Sequence, residues 1–356
     1  MGNPKPRMGI LTFHRCINYG SYWQARCLVE ELRSRGHEAV ILDHDAWRIK
    51  RAEWTCALRP VLPTSVPSMD YLLYGLKLLK FLRAISKLPR SPRFNLEHAS
   101  NLESFDRVIV GSDEVWNLRH PWYGGCPLFF GAGIGARLVS YGASFGNYDA
   151  SQGLEPAWAD RLRRFEAISV RDDNSRAIIQ NALGFEPELV LDPCLQFMPR
   201  PEGIWRGPDR PFVAVYGHNF SEAFGRNVRR WARSHGYPMV SLGYRNDWAD
   251  QQWITAGPQD FAHAMARAEA VATNFFHGCI FALRHAKPFV SERSPYRSTK
   301  IENLMAMIGG EKRLVSEDST ATTYDVCLSE LLDSRILDRV DRLRRQSNEF
   351  LDRALD

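Results

Sequence analysis

No Cys-x-x-Cys pair occurs in the 356 residues, and the seven cysteines lie far apart, so neither a zinc site nor a dithiol redox pair is spelled. An odd number of thiols, with no apolar leader-like run near Met1, predicts reduced cysteines in a cytoplasmic protein without a secretory leader. No run of eighteen apolar residues is present, which predicts no membrane-spanning helix. Internal repeats and low-complexity segments are also missing. Neither sign of charge dominates: a formal net charge of +5 favours acidic ligands only weakly, and without a recognition motif nucleic acid is not expected as a partner. The first β-α turn lacks Gly-x-Gly-x-x-Gly, and Gly131-Ala132-Gly133-Ile134-Gly135-Ala136 leads into the strand-like RLVSYGAS instead of a helix. A dinucleotide cofactor is therefore not expected, nor any other cofactor or metal.

Apolar residues make up 44% of the chain, enough for full-sized cores, and its length suits two domains of about 150 to 180 residues each. Residues 8–13 (MGILTF) read as a buried strand, followed by the turn Asn18-Tyr19-Gly20-Ser21. Trp23, Ala25, Leu28, Val29 and Leu32 then recur at helical spacing, Gly36 stops the helix, and residues 39–42 form a second strand. The turn either offers backbone N–H groups and the Asn18 amide to a ligand or is a cap without contacts. Residues 105–111 (FDRVIVG) have the continuous apolar centre of a strand buried on both faces of a parallel sheet. That strand runs into Gly111-Ser112-Asp113-Glu114-Val115-Trp116-Asn117, and polar side chains crowded at a strand end are poorly explained by packing alone. Arg171 likewise falls just past a strand at 167–170, ahead of a helix at 174–183. A guanidinium there either grips a carboxylate or phosphate through two parallel hydrogen bonds or pairs with Asp172 or Asp173.

Residues 271–290 (VATNFFHGCIFALRHAKPFV) place His277 between a buried strand and a helix opened by Gly278. Ligands of open α/β sheets collect at the carboxyl ends of strands, where a helix N-terminus favours an anion. The alternative is that His277 caps the helix or packs in the core. Arg297 and Lys300, three residues apart, share a face if their segment is helical.

Taken in order, these motifs resemble those of the polysaccharide pyruvyl transferase family. The segments concerned are the N-Y-G turn at Asn18, the family's G-S-D-Q-V-W-N at Gly111, RLVSYGASFG at 137–146, and Asn274-Phe275-Phe276-His277-Gly278-Cys279. At the last of these the family carries an S-F-H-G-T-like or R-L-H-G-like segment. The histidine and glycine match; Phe275 replaces the serine of the first version, and the arginine of the second has no counterpart. The resemblance extends from Met8 to about Arg313.

It implies an α/β fold of glycosyltransferase-B-like type, with two facing Rossmann-like domains and a C-terminal helix. The expected boundaries are 1–198 for an acceptor-side domain, 199–211 for a Pro-rich linker, 212–332 for a donor-side domain and 333–356 for the helix. The implied reaction moves the enolpyruvyl carbons of phosphoenolpyruvate onto two hydroxyls of a sugar in an exopolysaccharide or its lipid-linked precursor, making a cyclic ketal. His277 and Asp113 are then the expected catalytic residues, and Arg171, Gly278, Arg297 and Lys300 the donor ligands. Asn18, Tyr19, Gly20, Ser112, Trp116 and Asn117 are the expected acceptor contacts, with Trp116 stacking on a sugar ring. Two rival readings stand: a nucleotide-sugar glycosyltransferase of the same architecture, and a non-catalytic glycan-binding descendant.

Between Pro60 and Pro92 the texture changes. Leu72, Leu73, Leu76, Leu79 and Leu82 fall on one side of a helix, with Lys77, Lys80, Arg83 and Lys87 largely elsewhere. Such a helix either lies on an anionic surface at the inner face of the cytoplasmic membrane or packs on the first domain with Leu72, Leu76 and Leu79 buried.

Overall fold

The computed structural model describes residues 6–60, 66–96, 104–293 and 298–356. Its strands are β1 (Arg7–Leu11), β2 (Glu38–Ile41), β3 (His44–Asp45), β4 (Phe94–Asn95), β5 (Arg107–Asp113), β6 (Arg137–Ala143), β7 (Phe165–Ala167), β8 (Ser169–Val170), β9 (Glu188–Leu189), β10 (Val213–Tyr216), β11 (Met239–Leu242), β12 (Gln251–Trp253), β13 (Ala270–Thr273), β14 (Phe289–Glu292) and β15 (Leu314–Val315). Its α-helices are α1 (Tyr19–Ser34), α2 (Trp47–Leu58), α3 (Tyr71–Ser86), α4 (Pro156–Leu162), α5 (Asp173–Leu183), α6 (Pro193–Gln196), α7 (Glu222–Ser234), α8 (Pro258–Arg267), α9 (Phe276–Arg284), α10 (Ser298–Ile308), α11 (Ala321–Ser329) and α12 (Ser334–Leu355).

Two compact units result, each a Rossmann-like α/β layer structure. Unit 1 comprises Met1–Glu53, Lys87–Pro199 and Arg342–Asp356; unit 2 comprises Trp54–Ser86 and Arg200–Asp341. In unit 1 the sheet order is β2-β1-β5-β6-β8-β9, with β7 also on β6, and its pairings are parallel. Val108, Ile109 and Val110 of β5 are fully buried, as a strand covered on both faces requires. Strand order reverses between β1 and β5. Unit 2 has the parallel order β12-β11-β10-β13-β14-β15, with its reversal between β10 and β13. In such sheets the crevice at the reversal, outside the carboxyl ends of the strands, is where ligands bind.

The expected boundaries need two corrections. The stretch Trp54–Ser86 lies within the expected first domain by sequence yet belongs to unit 2. Its contacts explain why: Tyr74 packs with Ile254, Lys77 donates to the Gly243 carbonyl at 2.8 Å, Lys80 pairs with Asp260 at 2.7 Å, and Asp70 with Arg245 at 2.8 Å. The closing helix is not a separate appendage either, since from Arg342 onward it belongs to unit 1. There Ser347 accepts from the Leu191 N–H at 2.9 Å, the Arg344 carbonyl accepts from Gln196 at 2.9 Å, and Asp352 pairs with Arg35.

Candidate functional site

At the reversal in unit 1, α1 begins just past β1. Asn18 is its N-cap, accepting from the Gly20 and Ser21 N–H groups at 2.8 and 3.3 Å. Ser21 then presents its hydroxyl to Asp113, the last residue of β5, at 2.6 Å. Asp113 has φ 78°, a left-handed conformation uncommon for residues other than glycine. Its other oxygen accepts from the Glu114 N–H at 2.9 Å and lies 3.6 Å from Arg171. Arg171, past β8, donates to Asp192 at 2.5 Å and to Ser112 at 3.0 Å. Burial works against the Arg171 charge, but Asp192, Asp113 and Asp172 outweigh it and raise the guanidinium pKa. Three strand ends thus converge on one half-buried carboxylate.

Several expected acceptor contacts are corrected by this geometry. Trp116 is fully buried among Phe130, Phe145 and Phe165, with its ring N–H on the Phe129 carbonyl at 2.9 Å, so no face is left for a sugar. Tyr19 and Ser112 are buried as well. The Gly20 N–H is taken by Asn18, and Asn117 spends its amide on Glu114 at 2.8 Å and on the Arg119 N–H at 3.0 Å. Arg171 pairs with neither of its sequence neighbours; Asp172 instead caps α5, accepting from the Ser175 N–H at 2.7 Å.

Sequence reasoning missed Glu53. This carboxyl, 8% exposed on α2, accepts from the Ile17 N–H at 3.3 Å and hydrogen-bonds the Cys16 thiol. Burial, helped by the Asp113 charge, raises its pKa. Burial and the neighbouring Glu53 also push the Cys16 thiol well up. Tyr123 hydrogen-bonds Cys16 and lines a cavity of about 740 Å³ together with Arg48, Ile49, Ala52, Trp122 and Leu128. Pockets of this size enclose small ligands. His120, its pKa lowered by burial against the pull of Asp113, carries this wall by accepting the Trp122 and Tyr123 N–H groups at 3.3 and 3.2 Å. One signal was legible: Glu53 is the sole acid between Asp45 and Asp70, on an otherwise basic stretch.

At the reversal in unit 2, Thr273 donates to the Tyr216 carbonyl at 2.6 Å and Asn274 to the His218 carbonyl at 2.8 Å, joining the ends of β13 and β10. His277 is the second residue of α9, whose N-cap, Phe275, contributes no side-chain cap. Gly278 has a packing reason, because a Cβ there would collide with the Thr273 side chain. Close approach to Thr273 at the end of β13 thus accounts for a glycine here. Phe275 also has a reason: its ring stands edge-on to Tyr216, His218 and Tyr244, at 4.9, 5.2 and 5.4 Å between centroids. Lys77 lies 4.3 Å from the Tyr244 ring centre, and burial lowers its pKa to about 7. Lys300 sits in the first turn of α10, while Arg297 lies outside the described residues.

Over residues 18–292 the sequence matches the polysaccharide pyruvyl transferases. The chain belongs to that family. No curated protein is matched by the sequence. Among solved structures, a Streptomyces glycosyltransferase complexed with thymidine diphosphate is similar at 13% identity, over 97% of this chain and 96% of that one, with a TM-score of 0.47. A UDP-GlcNAc 2-epimerase from Neisseria meningitidis bound to UDP-GlcNAc gives 10% identity, 97% and 94% coverage, and the same TM-score of 0.47. The glycosyltransferase SnogD from Streptomyces nogalater gives 14% identity, 98% and 96% coverage, and a TM-score of 0.45. Membership in the pyruvyl transferase family implies a transferase acting on a sugar or polysaccharide, and the family's Asp113 and His277 segments stand at the two strand-order reversals.

Proposed function

We propose that the protein transfers the enolpyruvyl carbons of phosphoenolpyruvate to two hydroxyls of one sugar, in a polysaccharide or its lipid-linked precursor. One observation carries the reading: the family's two polar motifs stand at the ligand-binding ends of two separate sheets, one with a held carboxylate and one with an imidazole at a helix N-terminus. In this reading unit 2 takes the donor. The N-terminal end of α9 favours its phosphate or carboxylate, Lys300 adds charge, and His277 supplies a proton. Unit 1 takes the acceptor, with Trp122 in place of Trp116 as the aromatic wall and Asp113 as the base.

A sugar hydroxyl adds its oxygen to C2 of the enol while a proton from His277 reaches the C3 methylene, and the hydroxyl proton passes to Asp113. The C2–O bond to phosphate then breaks, inorganic phosphate leaves with the electron pair, and the second hydroxyl oxygen takes its place at C2 as its proton passes back to His277. General acid and base help of this kind is worth about 10² to 10⁴ in rate each.

Thermal shift with phosphoenolpyruvate against a panel of nucleotide sugars tests the donor, and glycan-dependent phosphate release with mass spectrometry of the product tests the transfer. Stabilisation by phosphoenolpyruvate and a ketal on the glycan are expected. Stabilisation by a nucleotide sugar alone overturns the reading in favour of a glycosyltransferase, and glycan binding without turnover in favour of a non-catalytic protein.

A further inference from the structure

The α3 helix has more apolar surface than its fold uses. Tyr74, Leu78, Phe81 and Ile85 are buried. On its other side Leu72, Leu76 and Leu79 are 72%, 44% and 50% exposed, and Met69 just before the helix is 81% exposed. Spacings of three and four residues align these side chains in one stripe. Of the ten large apolar side chains exposed among the described residues, these are four, all within eleven positions. Isolated exposed leucines need no explanation; a continuous row marks an interaction surface.

Charge narrows the partner. Between Trp54 and Ser86 the only acid is Asp70, which is 4% exposed and paired with Arg245. Lys77 is buried against the Gly243 carbonyl, and Lys80, although its side chain is 38% exposed, has its charge paired with Asp260. The exposed cations of this stretch are Arg59, whose guanidinium lies 5.3 Å from the Tyr71 ring centre near the start of α3, and Arg83, one turn past Leu79. No helix among the described residues is long and apolar enough to cross a membrane. An apolar stripe flanked by arginines is the pattern of a helix lying in the interfacial plane of an anionic bilayer. A second copy would bring together two faces whose exposed charges are all positive.

We propose that the exposed face of α3, with Met69, Leu72, Leu76 and Leu79 at its centre and Arg59 and Arg83 at its margins, docks unit 2 reversibly on an anionic lipid surface. Its test needs neither donor nor acceptor, so it stands or falls apart from the reaction. The whole protein is co-sedimented with vesicles of phosphatidylcholine alone and with phosphatidylglycerol added, at low and high salt. Binding to the anionic vesicles only, weakened by salt, is expected. The L72S/L76S/L79S variant should lose at least tenfold in binding with an unchanged circular dichroism spectrum, because the replaced side chains make little packing. R83E should weaken binding and leave thermal stability unchanged. Absence of binding at low salt overturns the proposal, as does undiminished binding by the triple variant. So does light scattering that shows a dimer which the triple variant converts to monomer, since the stripe would then join two copies of the chain.

Discussion

Ser21 and Asp113 meet at 2.6 Å across the strand-order reversal of unit 1, although 92 residues separate them in sequence. The hydroxyl comes from the first turn of α1 and the carboxylate from the last residue of β5, so the contact forms only when β1 and β5 are in register. Asp113 is therefore oriented from two sides, by Ser21 and by Arg171. Asp113→Asn should keep the fold and lower turnover by about 10² to 10⁴, the worth of general base help. Ser21→Ala should lower it less, because Arg171 and the Glu114 N–H remain. Steady-state phosphate release at saturating donor, with circular dichroism as the control, checks both; an Asp113→Asn enzyme with full turnover would remove the carboxylate from the reaction.

His277→Ala should abolish product formation without changing the melting temperature. The side chain is only part-buried at the start of α9 and its helix is held by Gly278 against Thr273. Product mass spectrometry beside thermal unfolding decides it, and retained ketal formation would refute the assignment.

Arg171 should behave as a structural charge first. Its partner Asp192 is 1% exposed and Arg171 itself 4%, so replacing either alone strands a buried charge, at a cost of roughly 3 to 5 kcal/mol. Urea unfolding should show Arg171→Met and Asp192→Asn each strongly destabilised, and the double variant much less so than the two costs combined. An Arg171→Met protein of wild-type stability that has lost only donor affinity would instead make Arg171 a ligand.

Glu53 makes stability fall with rising pH. Burial raises its pKa above the ordinary 4.5, so in the window above 4.5 the folded state holds a proton that the unfolded state has released. Stability is then lost as pH climbs through that window, by at most about 1.4 kcal/mol per unit. Glu53→Gln cannot ionise, and its advantage over wild type in chemical unfolding should grow from pH 4.5 upward and then level off. An advantage independent of pH would show that Glu53 titrates normally.

Lys77 has the opposite sign. Its pKa is lowered from 10.5 to about 7, so between those values the unfolded chain binds the extra proton and wild-type stability rises with pH. Lys77→Met should lack that rise. Comparing the two proteins from pH 7 to 9.5 isolates the lysine from other titrating groups, and parallel curves would count against its burial.

The sequence made the parallel sheets and the strand-end motifs legible because in a β-α alternation each buried run is apolar throughout and each motif must follow one. It did not show where the chain points after Asp113. That residue adopts a left-handed conformation, and Trp116 goes inward onto Phe130 and Phe145. Phe275 stood out as a departure from the family pattern until Tyr216, His218 and Tyr244 were seen around it. The placement of α3 was hidden for a different reason: its partners Gly243, Ile254 and Asp260 lie more than 160 residues further on. No local pattern records a contact of that range, and the leucines that looked fit for a core are the exposed ones.

The helix α12 sets an order of assembly between the two units. Unit 1 supplies β1, which is translated before any of unit 2, yet Arg344 and Ser347 of the same unit, which meet Gln196 and Leu191, follow only after Asp341. All of unit 2 is translated in between. Unit 1 is therefore begun before unit 2 and completed after it, and a chain cut short after Asp341 would leave unit 2 whole and unit 1 open along its Leu191–Gln196 edge.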